Sequence, residues 1–144
     1  MNPGRTPFTV VANHFKSKGG TGTGDSADTG QGSFNGDRVR QAASLAAFIR
    51  QLVASTGDAD VVSLGDYNAY TQEGPIEVLR EAGLADLGEQ FDPGRYSYVF
   101  DALSGSLDHA LATAELTAKV TDVTHWNINS VESFAYQYTG DPAL

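Results

Sequence analysis

Apolar residues recur along the chain with two periods, and these divide it into strands and helices. Phe8-Thr9-Val10-Val11-Ala12 is rich in Val and Thr and predicts a first strand that runs out at Asn13-His14. Val39, Ala42, Ala46, Ile49 and Val53 return at steps of three or four, which predicts a helix that Asn35 or Asp37 can cap and Gly57 stops. Val61-Val62-Ser63-Leu64, bounded by Gly57-Asp58 and Gly65, predicts a buried strand, so strand, helix and strand make a βαβ-like unit. Thr71 to Gly83 predicts a second helix, with Pro75 near its first turn, Ile76, Leu79 and Ala82 inward, and Gly83 as terminator. Leu84 to Gly94 is a connection. Tyr96 to Phe100 and Leu107 to Leu111 predict two strands joined by a turn at Ser104-Gly105, and Val120 to Trp126 a last strand. Beyond Asn129 no clear period remains.

Between the first strand and the first helix, residues 19–36 are Gly, Thr, Ser and Asp with a single aromatic, Phe34. A long loop of this kind inside a compact domain is a functional lid or a disordered tip. Three ligand motifs are excluded within it. Gly20-Thr21-Gly22-Thr23-Gly24 lacks the third glycine and the flanking elements of a dinucleotide loop, and no Gly-Lys-Ser/Thr makes a nucleotide P-loop. Asp25 to Asp37 has Ala27 and Thr29 where a calcium loop needs oxygen ligands.

Composition narrows the class. The chain of 144 residues is one domain's worth, and its lack of cysteine removes disulfides and thiolate metal sites without fixing a compartment. No apolar run approaches the roughly 20 residues of a membrane span, and Met1-Asn2-Pro3-Gly4-Arg5 lacks a signal peptide's apolar segment, so no membrane partner is expected. The net charge of -9 argues against coating nucleic acid by bulk electrostatics. The charge is uneven, however. Residues 1–40 carry five cations, Arg5, Lys16, Lys18, Arg38 and Arg40, against Asp25, Asp28 and Asp37, a balance of +2 that leaves -11 for the remainder. A polyanion can be met on the amino-terminal side, with a bound cation compensating the acidic centre.

Candidate chemistry sits where strands end. Asp66 and Asn68 lie two apart after Gly65, so on an extended chain they share one face and converge on one ligand. A carboxylate there holds a divalent cation or aligns a water, and the amide donates to a phosphate oxygen without adding negative charge. The alternative is a strand-to-loop turn in which both side chains cap backbone groups. His14, followed by Lys16 and Lys18, suits a phosphate, with a satisfied or solvent-facing histidine as the alternative. Arg38 and Arg40, beside the long loop, belong to a solvated helix face or reach a phosphate. Asp108, inside an apolar strand, is expected to hold a histidine or a cation.

Asn13-His14-Phe15-Lys16-Ser17-Lys18-Gly19, Gly65-Asp66-Tyr67-Asn68-Ala69, Tyr96-Ser97-Tyr98-Val99-Phe100 and Ser106-Leu107-Asp108-His109-Ala110-Leu111, in this order, resemble the endonuclease/exonuclease/phosphatase superfamily. The resemblance is nearest to its secreted bacterial nucleases, in which Trp126-Asn127-Ile128-Asn129-Ser130-Val131-Glu132 also has a counterpart. It spans nearly the whole chain. The resemblance implies an α/β fold, part of a four-layer α/β/β/α sandwich, and a phosphodiesterase that uses Mg2+, or Mn2+ or Ca2+, while water attacks in line. It implies that His14 contacts the scissile phosphate and assists proton transfer. Asp66 then orients or deprotonates the water or ligates the metal, Asn68 holds the phosphate, and Asp108 is a buried carboxylate that orients a catalytic histidine. Asn13, Lys16, Lys18 and Arg38 are expected to bind phosphate or substrate, with nucleic acid preferred over a phosphoinositide or a sphingomyelin-type phosphoester. An extracellular parent protein is implied by the resemblance alone.

The sequence also departs from the family pattern. The family's terminal Ser-Asp-His does not follow the Leu-Asp strand, and Asp108-His109 does not replace it, because the apolar run continues after the pair. His109 is therefore expected to face away from Asp108, with no catalytic role. The family's amino-terminal metal glutamate and phosphate-facing asparagine are also missing. Residues 1–144 thus match a single partial domain, truncated at both ends, whose open sheet face needs the missing half or a second copy. On that expectation the chain is active only when completed; the alternative is a noncatalytic module that binds a partner or itself.

Overall fold

The computed structural model describes residues 7–100 and 103–127. In chain order its elements are β1 (Thr9–His14), a 3-10 turn (Gly24–Ser26), α1 (Asn35–Thr56), β2 (Val61–Asp66), α2 (Gly74–Glu81), β3 (Ala85–Asp86), α3 (Leu87–Phe91), β4 (Tyr98–Phe100), β5 (Leu103–Gly105), β6 (Asp108–Ala112) and α4 (Ala114–Thr117). Four strands form one mixed sheet in the order β1-β2-β6-β3, and β4 and β5 form a separate hairpin. The class is mixed α/β.

The expected βαβ unit is present. β1 and β2 run parallel with α1 as their crossover, and the register sets Val11 beside Ser63 and His14 beside Asp66. Gly65 permits this pairing: a Cβ there would lie 1.9 Å from the Asn13 carbonyl oxygen, and its φ of +152° is one that side-chain-bearing residues rarely adopt. β6 then adds antiparallel to the other edge of β2, with Asp66 opposite Asp108. The apolar run of residues 107–111 therefore joins the central sheet; Tyr98–Phe100 pairs instead with Leu103–Gly105. A local hairpin won where the sequence suggested a pairing with residues 107–111.

The sheet buries its two faces unequally. On one, Ala42, Leu45, Ala46 and Ile49 of α1 and Ile76 and Leu79 of α2 pack over Val61, Tyr67 and Leu111. This is the face that the three- and four-residue spacing in α1 was built to cover. On the other, Val62 and Ala112 are covered by Leu87, Phe91, Leu116, Val120 and Val123, but only near β6. Toward β1 that face is open, with Val10 51% and Leu64 40% exposed and Phe8 beside them 57% exposed.

Several expected boundaries shift. Phe34, left-handed at φ 66°, occupies the N-cap of α1, and neither Asn35 nor Asp37 caps it; Asp37 accepts instead from Ser26 and Arg40. At the other end left-handed Gly57 closes the helix as expected, its N–H donating to the Val53 carbonyl. Ala82 lies exposed just past α2, and the connection of residues 84–94 contains β3 and α3. Residues 120–126 form no strand; Val120 and Val123 pack as irregular chain against Val62, which needs no partner edge. The motif residues Ile128 to Glu132 lie outside the described residues. Among the described residues no helix is long and apolar enough to cross a membrane.

Leu111, fully buried at the centre of the helix-covered face, is expected to lose about 2–5 kcal/mol of stability on change to alanine. Val10→Ala, on the open face, should cost under about 0.5 kcal/mol. Chemical denaturation of the two variants checks this, and an equal loss at Val10 would show that its face is covered in solution.

Candidate active site

The carboxyl ends of the parallel strands β1 and β2 meet β6 at one edge of the sheet, the place where open α/β sheets receive ligands. Cross-strand partners point to the same face. The register therefore lines up His14, Asp66 and Asp108 in a row across three neighbouring strands. His14 Nε2 lies 3.5 Å from Asp66 Oδ2, and both side chains reach solvent, 73% and 36% exposed. This separation is slightly long for a hydrogen bond, as catalytic pairs without substrate often are. Asp66 Oδ1 accepts the Asn68 N–H at 2.8 Å, which fixes the plane of the carboxylate and leaves Oδ2 facing His14.

Asp108 is exposed, where a buried carboxylate was expected. No imidazole pairs with it among the described residues; its backbone N–H instead receives the Ser97 hydroxyl oxygen as acceptor at 3.3 Å. Two carboxylates directly opposite each other on neighbouring strands repel unless a positive group sits near them. The buried Asp–His pair of this fold is a different one: His109 Nδ1 lies 3.0 Å from Asp86 Oδ2, with side chains 2% and 4% exposed. His109 does face away from Asp108, as its strand alternation implies. Asp86 was not anticipated, although its spacing to Glu89 is the signature of a helix start. Asp86 Oδ1 indeed accepts the Gly88 and Glu89 N–H groups at the head of α3.

Asn68 departs from the extended geometry that would align it with Asp66. It is left-handed at φ 46° and largely buried, and its Nδ2 donates to the Phe15 carbonyl at 3.1 Å. The amide thus ties the turn after β2 to the end of β1, and the carboxylate-and-amide pair does not converge on one ligand. Asn13 is likewise occupied, donating to the Leu64 carbonyl at 3.2 Å and accepting from the Ser63 hydroxyl at 3.4 Å.

The four expected phosphate-binding cations and amides divide in the same way. Arg38 is fully buried and donates to the carbonyls of Lys16, Ser33 and Gln31 at 3.3, 2.8 and 2.9 Å, so it folds the long loop and meets no ligand. Lys18 Nζ is held by the Gln31 carbonyl at 2.7 Å and by Glu73 at 2.6 Å; burial lowers its pKa, partly offset by Glu73. Both residues fold the loop of residues 19–36 against α1 and α2. Helical periodicity alone placed Arg38 outward, but the loop's carbonyls cover that side of the helix. Lys16 is different. It is exposed, with Nζ 4.1 Å from the centre of the Phe34 ring, a cation–π contact. Lys16, Phe34 and Arg40 line an open groove of about 680 Å³ beside His14. A second cleft, of about 750 Å³, lies on the Asp108 side and is lined by Asp86, Asp92, Arg95 and His125.

Asp66 was the expected metal ligand. Among the described residues no three or more His, Asp or Glu side chains converge to hold a cation. The donor set present does not by itself fit a divalent metal, which takes several oxygen ligands.

No protein-family model matches the chain, and no curated protein matches it. A solved structure with some likeness is that of sphingomyelinase C from Streptomyces griseocarneus, at 26% identity and a TM-score of 0.46, covering 79% of this chain and 40% of that one. The chain thus spans well under half of that protein's length, and a likeness at this TM-score decides neither family nor activity.

Burial opposes ionisation of Asp86, but the hydrogen bond and charge of His109, the Glu89 N–H and Arg80 outweigh it and hold its carboxyl below the usual range. A depressed carboxyl contributes stability in full above the unfolded value of about 3.9, and loses it as pH falls through the lower folded value. Asp86→Asn is therefore expected to lower stability near neutral pH and to flatten its fall in acid, measured by denaturation between neutral pH and pH 2. An acid limb as steep as the parent's would contradict this.

Proposed function

We propose that the chain supplies part of the catalytic centre of a phosphodiester hydrolase acting on nucleic acid. The observation that carries this reading is the row His14, Asp66 and Asp108 at the carboxyl ends of β1 and β2, beside a groove lined by Lys16, Arg40 and Phe34. The four ordered motifs that resemble the endonuclease/exonuclease/phosphatase superfamily support it.

In this reading a phosphodiester lies along the groove. Lys16 offsets its charge, and His14, with Nε2 toward Asp66, donates from Nδ1 to a non-bridging oxygen or passes that proton to the leaving oxygen. Asp66 Oδ2, aimed by the Asn68 N–H on its other oxygen, orients His14 or the attacking water. Phe34 lines the same groove and supplies an aromatic ring on which a flanking base can stack, a contact tolerant of sequence, and this favours nucleic acid over a phosphoinositide or a sphingomyelin-type headgroup. A divalent cation would add Lewis-acid chemistry near Asp66. Since the described residues assemble no full ligand set, its further ligands would come from outside them.

The open face of Phe8, Val10 and Leu64 fits the same picture. It is the side that a further part of the domain, or a second copy, would cover. The incomplete ligand set also favours a second reading, a noncatalytic module that binds through this face.

Nicking of supercoiled plasmid with Mg2+ or Mn2+ separates the two. The chain fused to, or mixed with, a segment that completes the domain should cleave, and His14→Ala or Asp66→Ala should each lower the rate by a factor of 100 or more, in keeping with the ~10²–10⁴ of an acid–base group. Cleavage that survives both substitutions would end the hydrolase reading, and EDTA should abolish it.

A further inference from the structure

The turn that aims Asp66 is strained. Asn68 at φ 46° is left-handed without being glycine, a conformation that persists only where the surroundings enforce it. Two of its restraints have been described, the Asn68 N–H on Asp66 and the Asn68 side chain on Phe15. The third comes from across the sheet. His109 Nε2 lies 2.9 Å from the carbonyl oxygen of Ala69, the residue after Asn68. A carbonyl only accepts, so Nε2 carries a hydrogen; the Asp86 carboxylate also only accepts, so the other ring nitrogen donates to it. The other ring nitrogen meets Asp86, itself locked by the Gly88 and Glu89 N–H groups and 4.0 Å from Arg80. Tyr67, within the turn, packs edge-on against the His109 ring at 5.6 Å and against Phe15 at 4.9 Å. A continuous path therefore runs from the head of α3 through Asp86 and His109 to the turn that ends β2.

We propose that His109 is a positioning residue: its Nε2–H holds the Ala69 carbonyl, and Asp86 holds the ring, so that Asp66 keeps the orientation in which Oδ2 faces His14. The assignment rests on the proposed site, but it concerns the turn's geometry and is read without any activity. His109 touches no reacting group. It lies on the covered face of the sheet, opposite Asp108, and acts through the backbone of residues 66–69.

Two substitutions separate the halves of its contact. In His109→Gln the side-chain amide reaches the Nε2 position and keeps a donor for Ala69, while the link to Asp86 is lost. In His109→Asn the amide keeps the Nδ1 position toward Asp86 and loses Ala69. In 15N-labelled chain, the Gln variant should leave the Asn68 and Ala69 amide resonances near those of the parent. The Asn variant should move them and speed their hydrogen exchange at least tenfold, with the Leu111 amide resonance unchanged. Equal movement in both variants, or none in the Asn variant, would overturn the assignment. A measurement on the parent chain guards against variants that fail to fold: the imidazole Nε2 of His109 should carry a slowly exchanging hydrogen at neutral pH, and a bare Nε2 would also overturn it. In the cleaving form, His109→Asn should lower kcat with KM kept, and Gln should restore most of it. Absence of cleavage in every form, the parent included, would count against the hydrolase reading and leave the resonance arms standing.

Discussion

The parallel pairing of β1 with β2 is the constraint on which the site depends. Two strands that run side by side in one direction end together, and here they end at His14 and Asp66. The close approach needs Gly65, where any Cβ would strike the Asn13 carbonyl. α1 makes the crossover that parallel strands require, and its apolar stripe buries the same face of the sheet on which Tyr67 and Leu111 lie. The opposite face is thereby left to carry the polar row at its edge. Fold and site are consequences of one register: slip it by one residue, and His14 and Asp66 would turn to the covered face.

Cations divide by whether the backbone claims them first. Arg38 and Lys18 sit where loop carbonyls and Glu73 converge, and a guanidinium with several donors satisfies many such carbonyls at once. The long Gly-rich loop is in this way a folded strap between α1 and α2. Its placement brings Phe34 to the head of α1 and under the Lys16 ammonium. The residues that would have made the most basic surface are thus spent on holding the groove's wall, and Lys16 faces the groove with Arg40 paired to Asp37 beside it.

Much of the frame was legible from spacing. The Val39 to Val53 stripe and Gly57 marked α1, and Val61 to Leu64 marked the strand that carries Asp66. Positions set by long-range contacts were not legible. Nothing local distinguishes a solvated Arg38 from one roofed by the carbonyls of residues 31–33. The pairing of residues 107–111 with β2 instead of residues 96–100 follows from the sheet's apolar face, which a hairpin argument does not see. Asp108 and His109 are adjacent in sequence and face opposite ways, so the buried carboxylate that a histidine needs came from Asp86, whose capping pattern with Glu89 was the available sign. Asn68 takes the turn that the sequence left as the alternative, because the strand ends at Asp66 and the two-residue alternation ends with it.

In the proposed function a phosphodiester binds at the edge row beside the Lys16 groove. Titration of 15N-labelled chain with a short phosphorothioate oligonucleotide, which resists cleavage, tests it most directly. The resonances of His14, Lys16, Phe34, Arg40 and Asp66 should move, with the Arg38 and Lys18 side chains unmoved. Shifts confined to the cleft around Asp92 and His125, or to the open face of Val10 and Leu64, would contradict it.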